Sequence, residues 1–326
     1  MALTRWPANR MPLDAEQRQL ALDAVKREFA PAIANLKVDL GLDALFEEIY
    51  VPLACWIVER HTKGTPLVVG INGAQGAGKA TLFNIMEVIL AEGFGLKVVG
   101  FSIDDLYLTR AEREQLAAEV HPLLTTRGVP GTHDVNLGLR LLNQLRNAGP
   151  DEQIRIPIFD KSTDERCPVD MWHEWNGGAD IIFVDGWCIG AIPEPTEALD
   201  EPVNELEREE DQEGVWRQYV NKRLAGDYQT LFDELDLLVM LKVPSMQSVY
   251  DWRAAQEQKL QERAAVLYDD RPPSDPLRIM DETQIFRFIA HYERLTRWML
   301  ESLPKRADVT FELNENHKIA EIRFKA

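Results

Sequence analysis

The stretch that decides the fold runs from Leu67 to Ala91: LVVGI (67–71), then GAQGAGK (73–79), then the apolar-periodic segment Thr81 to Ala91. Leu67 to Ile71 is a short run rich in β-branched residues, which reads as a strand. Gly73 to Lys79 satisfies G-x-x-x-x-G-K, and Thr81 to Ala91 repeats with a helical period. Strand, glycine-rich loop and helix in that order form the context of a phosphate-binding loop. Gly73, Gly76 and Gly78 let the backbone curl so that successive N–H groups face phosphate oxygens. The following helix adds its N-terminal dipole, and Lys79 brings a cation to the β- and γ-phosphates. The expected nucleotide-binding residues are Gly73, Ala74, Gln75, Gly76, Ala77, Gly78, Lys79, Ala80 and Thr81. The plain alternative is a chance glycine-rich turn.

One position departs from the motif. A Ser or Thr hydroxyl normally follows the Lys and binds Mg²⁺, but here the residue is Ala80. Thr81 is next, and on a helix it points about 100° away. Three readings stay open: water replaces the hydroxyl, the enzyme is weak or inactive, or the chain is an engineered variant.

Outward from the loop, strands and helices alternate. Residues 14–63 read as helical, with a kink or break at Pro52 and a stop at Gly64. Strands are expected at Lys97–Ile103, Gln153–Ile158, Asp180–Asp185, Leu237–Val243, Asp308–Leu313 and Lys318–Phe324. Helices are expected near 111–119, 136–147, 246–267 and 283–303, with a loop over 120–135. This pattern predicts an α/β fold with a mainly parallel sheet. Residues 1–64 form an N-terminal helical segment packed on the core, and 65–326 form the main domain. A lid-like helix is expected near 246–267.

Composition narrows the class. The 326 residues are 45% hydrophobic and 28% charged, as in ordinary globular chains. The net charge of −18 disfavours general nucleic-acid binding and docking on an anionic membrane. Half of that charge comes from residues 194–213, which hold ten acids and a single base, Arg208. The segment reads as too polar to pack, an exposed excursion. Cys55, Cys167 and Cys188 lack metal or disulfide spacing and suggest free buried thiols in a reducing compartment. Residues 1–17 lack the apolar core of a signal peptide, and no run is long enough to span a membrane. A cytoplasmic protein is the expectation; its oligomeric state is left open.

Phosphoryl transfer also needs a group for the acceptor's proton and an acid near the metal. In open α/β sheets such groups sit at the carboxyl ends of strands. Asp104 ends the second strand and suits a general base. Asp185 ends the third and suits an acid that positions Mg²⁺, directly or through water. Both are equally at home as turn or N-cap residues, so the pair gains meaning from the loop beside it.

The segments GAQGAGK (73–79), SIDDLYLT (102–109), RGVPGTHD (127–134), PIFDKS (157–162), FVDGWCIG (183–190), VYDWRAAQE (249–257) and HYERLT (291–296) resemble D-glycerate 3-kinase-like proteins. That family belongs to the P-loop kinases, with uridine kinase, phosphoribulokinase and pantothenate kinase. The resemblance runs in order from about residue 65 to 320, and the loop at 127–134 is among its most specific parts. It implies a three-layer P-loop kinase fold and ATP-dependent transfer, with Mg²⁺, to a hydroxyl of a small hydroxy acid, D-glycerate first. A nucleoside or pantothenate acceptor, or nucleotide binding with little turnover, are the alternatives.

By the same resemblance Lys79, Asp104 and Arg253 are the catalytic residues, Arg253 lying in a lid. Asp104, Tyr107, Arg127, His133, Asp134, Asp160 and Lys161 line the acceptor site, Tyr107 there more as packing than as chemistry. Asp185 stands where the family more often carries Glu, and is the metal residue. Each has a bland alternative: His133 bonded to backbone, Lys161 a surface cation, Arg253 paired with Glu257 four residues on.

Overall fold

The computed structural model describes residues 5–12, 15–36, 42–267 and 280–325. Six strands form one sheet: β1 Leu67–Gly73, β2 Val98–Ser102, β3 Ile181–Gly186, β4 Leu237–Lys242, β5 Val309–Leu313 and β6 Ile319–Phe324. Their order is β2-β3-β1-β4-β5-β6. All neighbours run parallel except β5 and β6, which form the closing antiparallel hairpin.

Every residue of β1 is buried, as a central parallel strand covered on both faces must be. Alternation then divides the core in two. Val69 and Ile71, with Phe183, Val239 and Phe311, pack under the helix Lys79–Phe94 and the N-terminal helices. Val68, with Val99, Ile182, Val184 and Met240, packs under the helices Val135–Asn147 and Glu282–Ser302. The result is the expected three-layer α/β architecture. The helix Ala15–Leu36 lies so close to Lys79–Phe94 that a Cβ on Gly93 would come within 3.3 Å of Ala21 Cα.

The elements follow the sequence with instructive differences. Over the N-terminal region the backbone is helical at Ala15–Leu36, Leu42–Leu45 and Val51–Val58, joined across Phe46–Tyr50 by a π-helical turn. Pro52 follows directly on that π-helical turn, and the Glu48 carbonyl that its missing N–H would have bonded accepts from the Trp6 N–H at 3.0 Å, so the expected disruption is a local irregularity in a continuous helical run. Residues 14 and 37–41 of this expectation lie outside the described residues. The stretch read as a loop over 120–135 contains a 3-10 turn at Pro122–Thr125. The strand Gln153–Ile156 is not in the main sheet; it pairs with His173–Asn176 as a separate ribbon.

The acidic segment corrects the sequence reading. It is not an unpacked excursion, because four of its ten acids meet arginines outside the segment. Glu207, fully buried, takes two hydrogen bonds from Arg294 at 2.7 and 2.6 Å, and Glu194 takes a third at 3.0 Å. Asp211, also buried, accepts from the Trp216 and Arg217 backbone N–H groups and pairs with the Arg217 guanidinium at 3.0 Å. Glu210 pairs with Arg287. Leu199 and Leu206 are buried alongside. Local polarity cannot reveal this packing, since the partners are up to a hundred residues away.

Candidate active site

The carboxyl ends of β1, β2 and β3 converge, and the site is built there. Asp185 lies in register with Ile71 of β1 on one side and Ser102 of β2 on the other. Asn72, buried, ties β1 to the loop after β3 by donating to the Trp187 and Ile189 carbonyls at 3.0 and 2.8 Å.

The glycine-rich loop has the shape its sequence requires. Gly76 and Gly78 have φ of 83° and 95°, where a side chain would be strained. A Cβ on Gly78 would meet nothing within 4 Å, so the loop opens onto space that phosphate could approach. Gly73 is needed for closeness instead: its Cβ would sit 3.1 Å from Leu241 Cβ. Lys79 to Thr81 open the helix, and their N–H groups have no intrahelical acceptor. The Lys79 ammonium donates to the Gly73 and Ala74 carbonyls at 2.8 and 3.3 Å. Burial lowers its pKa, against the pull of Asp185 and Asp104. A half-buried cation held by carbonyls at the mouth of an amide cradle fits a polyphosphate.

Ala80 and Thr81 are both exposed, and Ala80 offers no oxygen. Burial raises the Asp185 carboxyl to about 6, with Asp104 and Asp105 adding repulsion and Lys79 opposing it. Among the described residues no three His, Cys, Asp or Glu side chains converge as a metal cage. One carboxylate beside a phosphate cradle nevertheless fits Mg²⁺, which takes one or two carboxylates and fills its shell with phosphate and water.

Asp104 lies in a 3-10 turn that follows β2, Ile103–Leu106, closed by a capping box between Ser102 and Asp105. Its Oδ1 accepts from the Tyr107 hydroxyl at 2.9 Å and its Oδ2 from the Lys161 ammonium at 2.6 Å. Burial alone would raise this carboxyl, but Lys161, then Lys79 and His133, hold it down at about 2. Tyr107 stacks on His133 with ring centroids 4.5 Å apart.

His133 is bonded at Nδ1 to the Tyr228 hydroxyl at 2.5 Å. That hydroxyl also accepts from the Gly131 N–H at 2.9 Å. The other ring nitrogen, Nε2, is buried and has no hydrogen-bond partner among the described residues. Burial lowers the His133 pKa from 6.5 to about 4, against Asp104 and Asp227.

The remaining sequence candidates are placed as follows. Arg127 sits over the Phe159 ring at 5.5 Å and is ion-paired with Asp164. Asp134 caps the helix Val135–Asn147, accepting from the Leu137 N–H at 2.9 Å, and lies 3.7 Å from Arg166. Asp160 accepts from Ser162 and Thr163 and shapes the turn that carries Lys161. Arg253 pairs with Glu257, with its guanidinium 5.3 Å from the Phe288 ring centre. The structure thus gathers Lys79, Asp104, Tyr107, His133, Lys161 and Asp185, with Arg127 beside them. It gives Asp134 and Asp160 structural hydrogen bonds and pairs Arg253 with a buried Glu257, which also accepts from the Met280 N–H at 3.1 Å.

Sequence reading missed three supports. Tyr228 orients His133 from 95 residues away, and nothing near it in the chain signals that role. Asp164, at φ 59°, gathers Arg113 and Arg127. Tyr292, whose hydroxyl donates to the Arg127 carbonyl at 3.1 Å, fills the space a Cβ on Gly128 would need: the two would be 2.0 Å apart. Tyr292 does lie in a segment that carried the resemblance.

Comparison with known proteins finds kinases. No protein-family model matches the chain. The chain is similar to Uncharacterized kinase mug58 of Schizosaccharomyces pombe, with 34% identity over 75% of this chain and 86% of that protein. It is 26% identical to the chloroplastic D-glycerate 3-kinase of Arabidopsis thaliana, over 68% of this chain and 50% of that one. Among solved structures, D-glycerate 3-kinase from Cryptococcus neoformans superposes with a TM-score of 0.64, covering 96% of this chain and 100% of the other at 22% identity, a likeness of fold.

Proposed function

The chain belongs to the same family of P-loop kinases as mug58, and on that premise we propose that it transfers the γ-phosphate of Mg·ATP to a hydroxyl of a small hydroxy acid, D-glycerate. It is a phosphotransferase with an alcohol acceptor; the choice of D-glycerate draws support from the Arabidopsis relative. The observation that carries the reading is Asp104, a carboxylate flanked by Lys79 and Lys161 at the mouth of the phosphate loop.

The loop amides and Lys79 hold the phosphates and offset charge that builds during transfer. Asp104 takes the proton of the attacking hydroxyl. Asp185 holds Mg²⁺, which when bound draws charge from the phosphate oxygens. Lys161 is the cation nearest the base and the one that meets an anionic acceptor; Arg127 is occupied by Asp164. Tyr107 and His133 wall the acceptor side, whereas Asp134 and Asp160 shape its loops. To reach a transferring phosphate from a lid, Arg253 has to leave Glu257. The free thiols support a reducing compartment, the cytoplasm. Among the described residues no helix is long and apolar enough to cross a membrane.

ADP release with Mg·ATP and a panel of hydroxy acids, polyols, nucleosides and pantothenate tests the reading. D-glycerate should stimulate it most, and Asp104→Asn should lower that rate about 10²–10⁴-fold while ATP still binds. Ala80 favours one other reading, nucleotide binding with little turnover. ATP binding with no acceptor-dependent ADP would select it.

A further inference from the structure

Both oxygens of the Asp104 carboxylate are already occupied, by two groups that differ in freedom. The Tyr107 hydroxyl on Oδ1 belongs to a ring that is 2% exposed, stacked on His133 and edge-on to Phe159. The Lys161 ammonium on Oδ2 belongs to a side chain that is 59% exposed. Its backbone is nevertheless pinned. The Phe159 N–H donates to Asp105, Asp160 holds Ser162 and Thr163, and Asp164 is held by Arg113 and Arg127. A fixed hairpin carrying a long exposed stem lets the ammonium move without the loop moving.

We infer that Lys161 gates Asp104, covering the oxygen that must take the acceptor's proton and uncovering it when the acceptor's own carboxylate draws the ammonium away. The inference rests on the reading of Asp104 as the base of a hydroxy-acid kinase. In that reaction the acceptor oxygen bonds to the γ-phosphorus and the bond from that phosphorus to the β,γ-bridging oxygen breaks. ADP leaves with the electron pair, and the acceptor's proton passes to Asp104 Oδ2. While Lys161 donates to Oδ2, its ammonium takes one lone pair of that oxygen and repels a proton arriving at the other. Water and neutral polyols carry no carboxylate to move the lysine, so they meet a covered base. A hydroxy acid brings its own release. Lys161 is thus a specificity-determining residue that also restrains hydrolysis of ATP by water.

The test uses the full chain and Lys161→Met, with Lys161→Arg as the conservative variant. ADP release is measured without acceptor, with D-glycerate and with glycerol, and D-glycerate binding to the nucleotide-free protein is followed by calorimetry. In Lys161→Met the preference for D-glycerate over glycerol in kcat/KM should fall by about tenfold or more, with acceptor-independent ADP release rising severalfold. Lys161→Arg should recover part of the preference. Equal losses for both acceptors, with acceptor-independent release unchanged, would overturn the gate while leaving the kinase reading intact. If the wild type phosphorylates no hydroxy acid, the kinase reading fails. The gate then falls with it, whereas in an active wild type an equal affinity for D-glycerate with and without Lys161 would refute the gate alone.

Discussion

The protonation of His133 offers the sharpest physical test of the acceptor wall. The imidazole is 1% exposed, hydrogen-bonded at Nδ1 to the Tyr228 hydroxyl and held neutral by burial, at about 4 against an ordinary 6.5. A histidine whose folded value is depressed contributes stability that is complete above the unfolded value, pH 6.5, and is lost as pH falls through about 4. Across that window the unfolded chain takes up a proton that the folded chain refuses. At about 1.4 kcal/mol per pH unit the full span amounts to about 3 kcal/mol, and the interval from pH 7 to pH 5 to about 2 kcal/mol. Urea unfolding at these two pH values should therefore show wild type losing about 2 kcal/mol more than His133→Gln, which cancels the contributions of all other groups. Nitrogen-correlated NMR of histidine-labelled protein should show the His133 ring still largely neutral at pH 5. A His133 ring that titrates near 6.5 in the folded protein would refute the reasoning.

Two further perturbations probe other parts of the structure. Glu207→Gln strips from Arg294 the buried carboxylate that takes two of its hydrogen bonds, leaving Glu194 to hold the guanidinium, and should cost about 3 kcal/mol in urea unfolding; a loss under 1 kcal/mol would return residues 194–213 to the status of a solvated excursion. Ala80→Ser restores the missing hydroxyl and should lower the Mg²⁺ concentration for half-maximal ADP release; an unchanged Mg²⁺ dependence would show that water already fills that place.

Much of the site was legible because its chemistry is carried by local motifs. The loop from Gly73 to Lys79 needs its glycines for positive φ at Gly76 and Gly78, and those residues sit next to each other in the chain. Asp104 and Asp185 could be placed because strands end where apolar runs end, and parallel strands bring their carboxyl ends together. Asp134 and Asp160 were harder to judge. An aspartate in a loop serves equally well as ligand or cap, and here their carboxylates hold backbone N–H groups. Arg253 and Glu257 are four apart on a helix, so their pairing was readable, yet its coexistence with a lid role was not.

By itself, then, the sequence determined the phosphate loop, the parallel α/β sheet around it and the acids at the strand ends, since propensity, period and backbone conformation act over a few residues. Only the tertiary structure decided which charges meet. It put Lys161 on Asp104 across 57 residues, Tyr228 on His133 across 95, and Arg294 on Glu207 across 87. Those pairings depend on through-space distance and on exclusion of water. They therefore turned an apparently unpackable acidic segment into a docked one, and an aspartate read as an open base into one covered by a lysine.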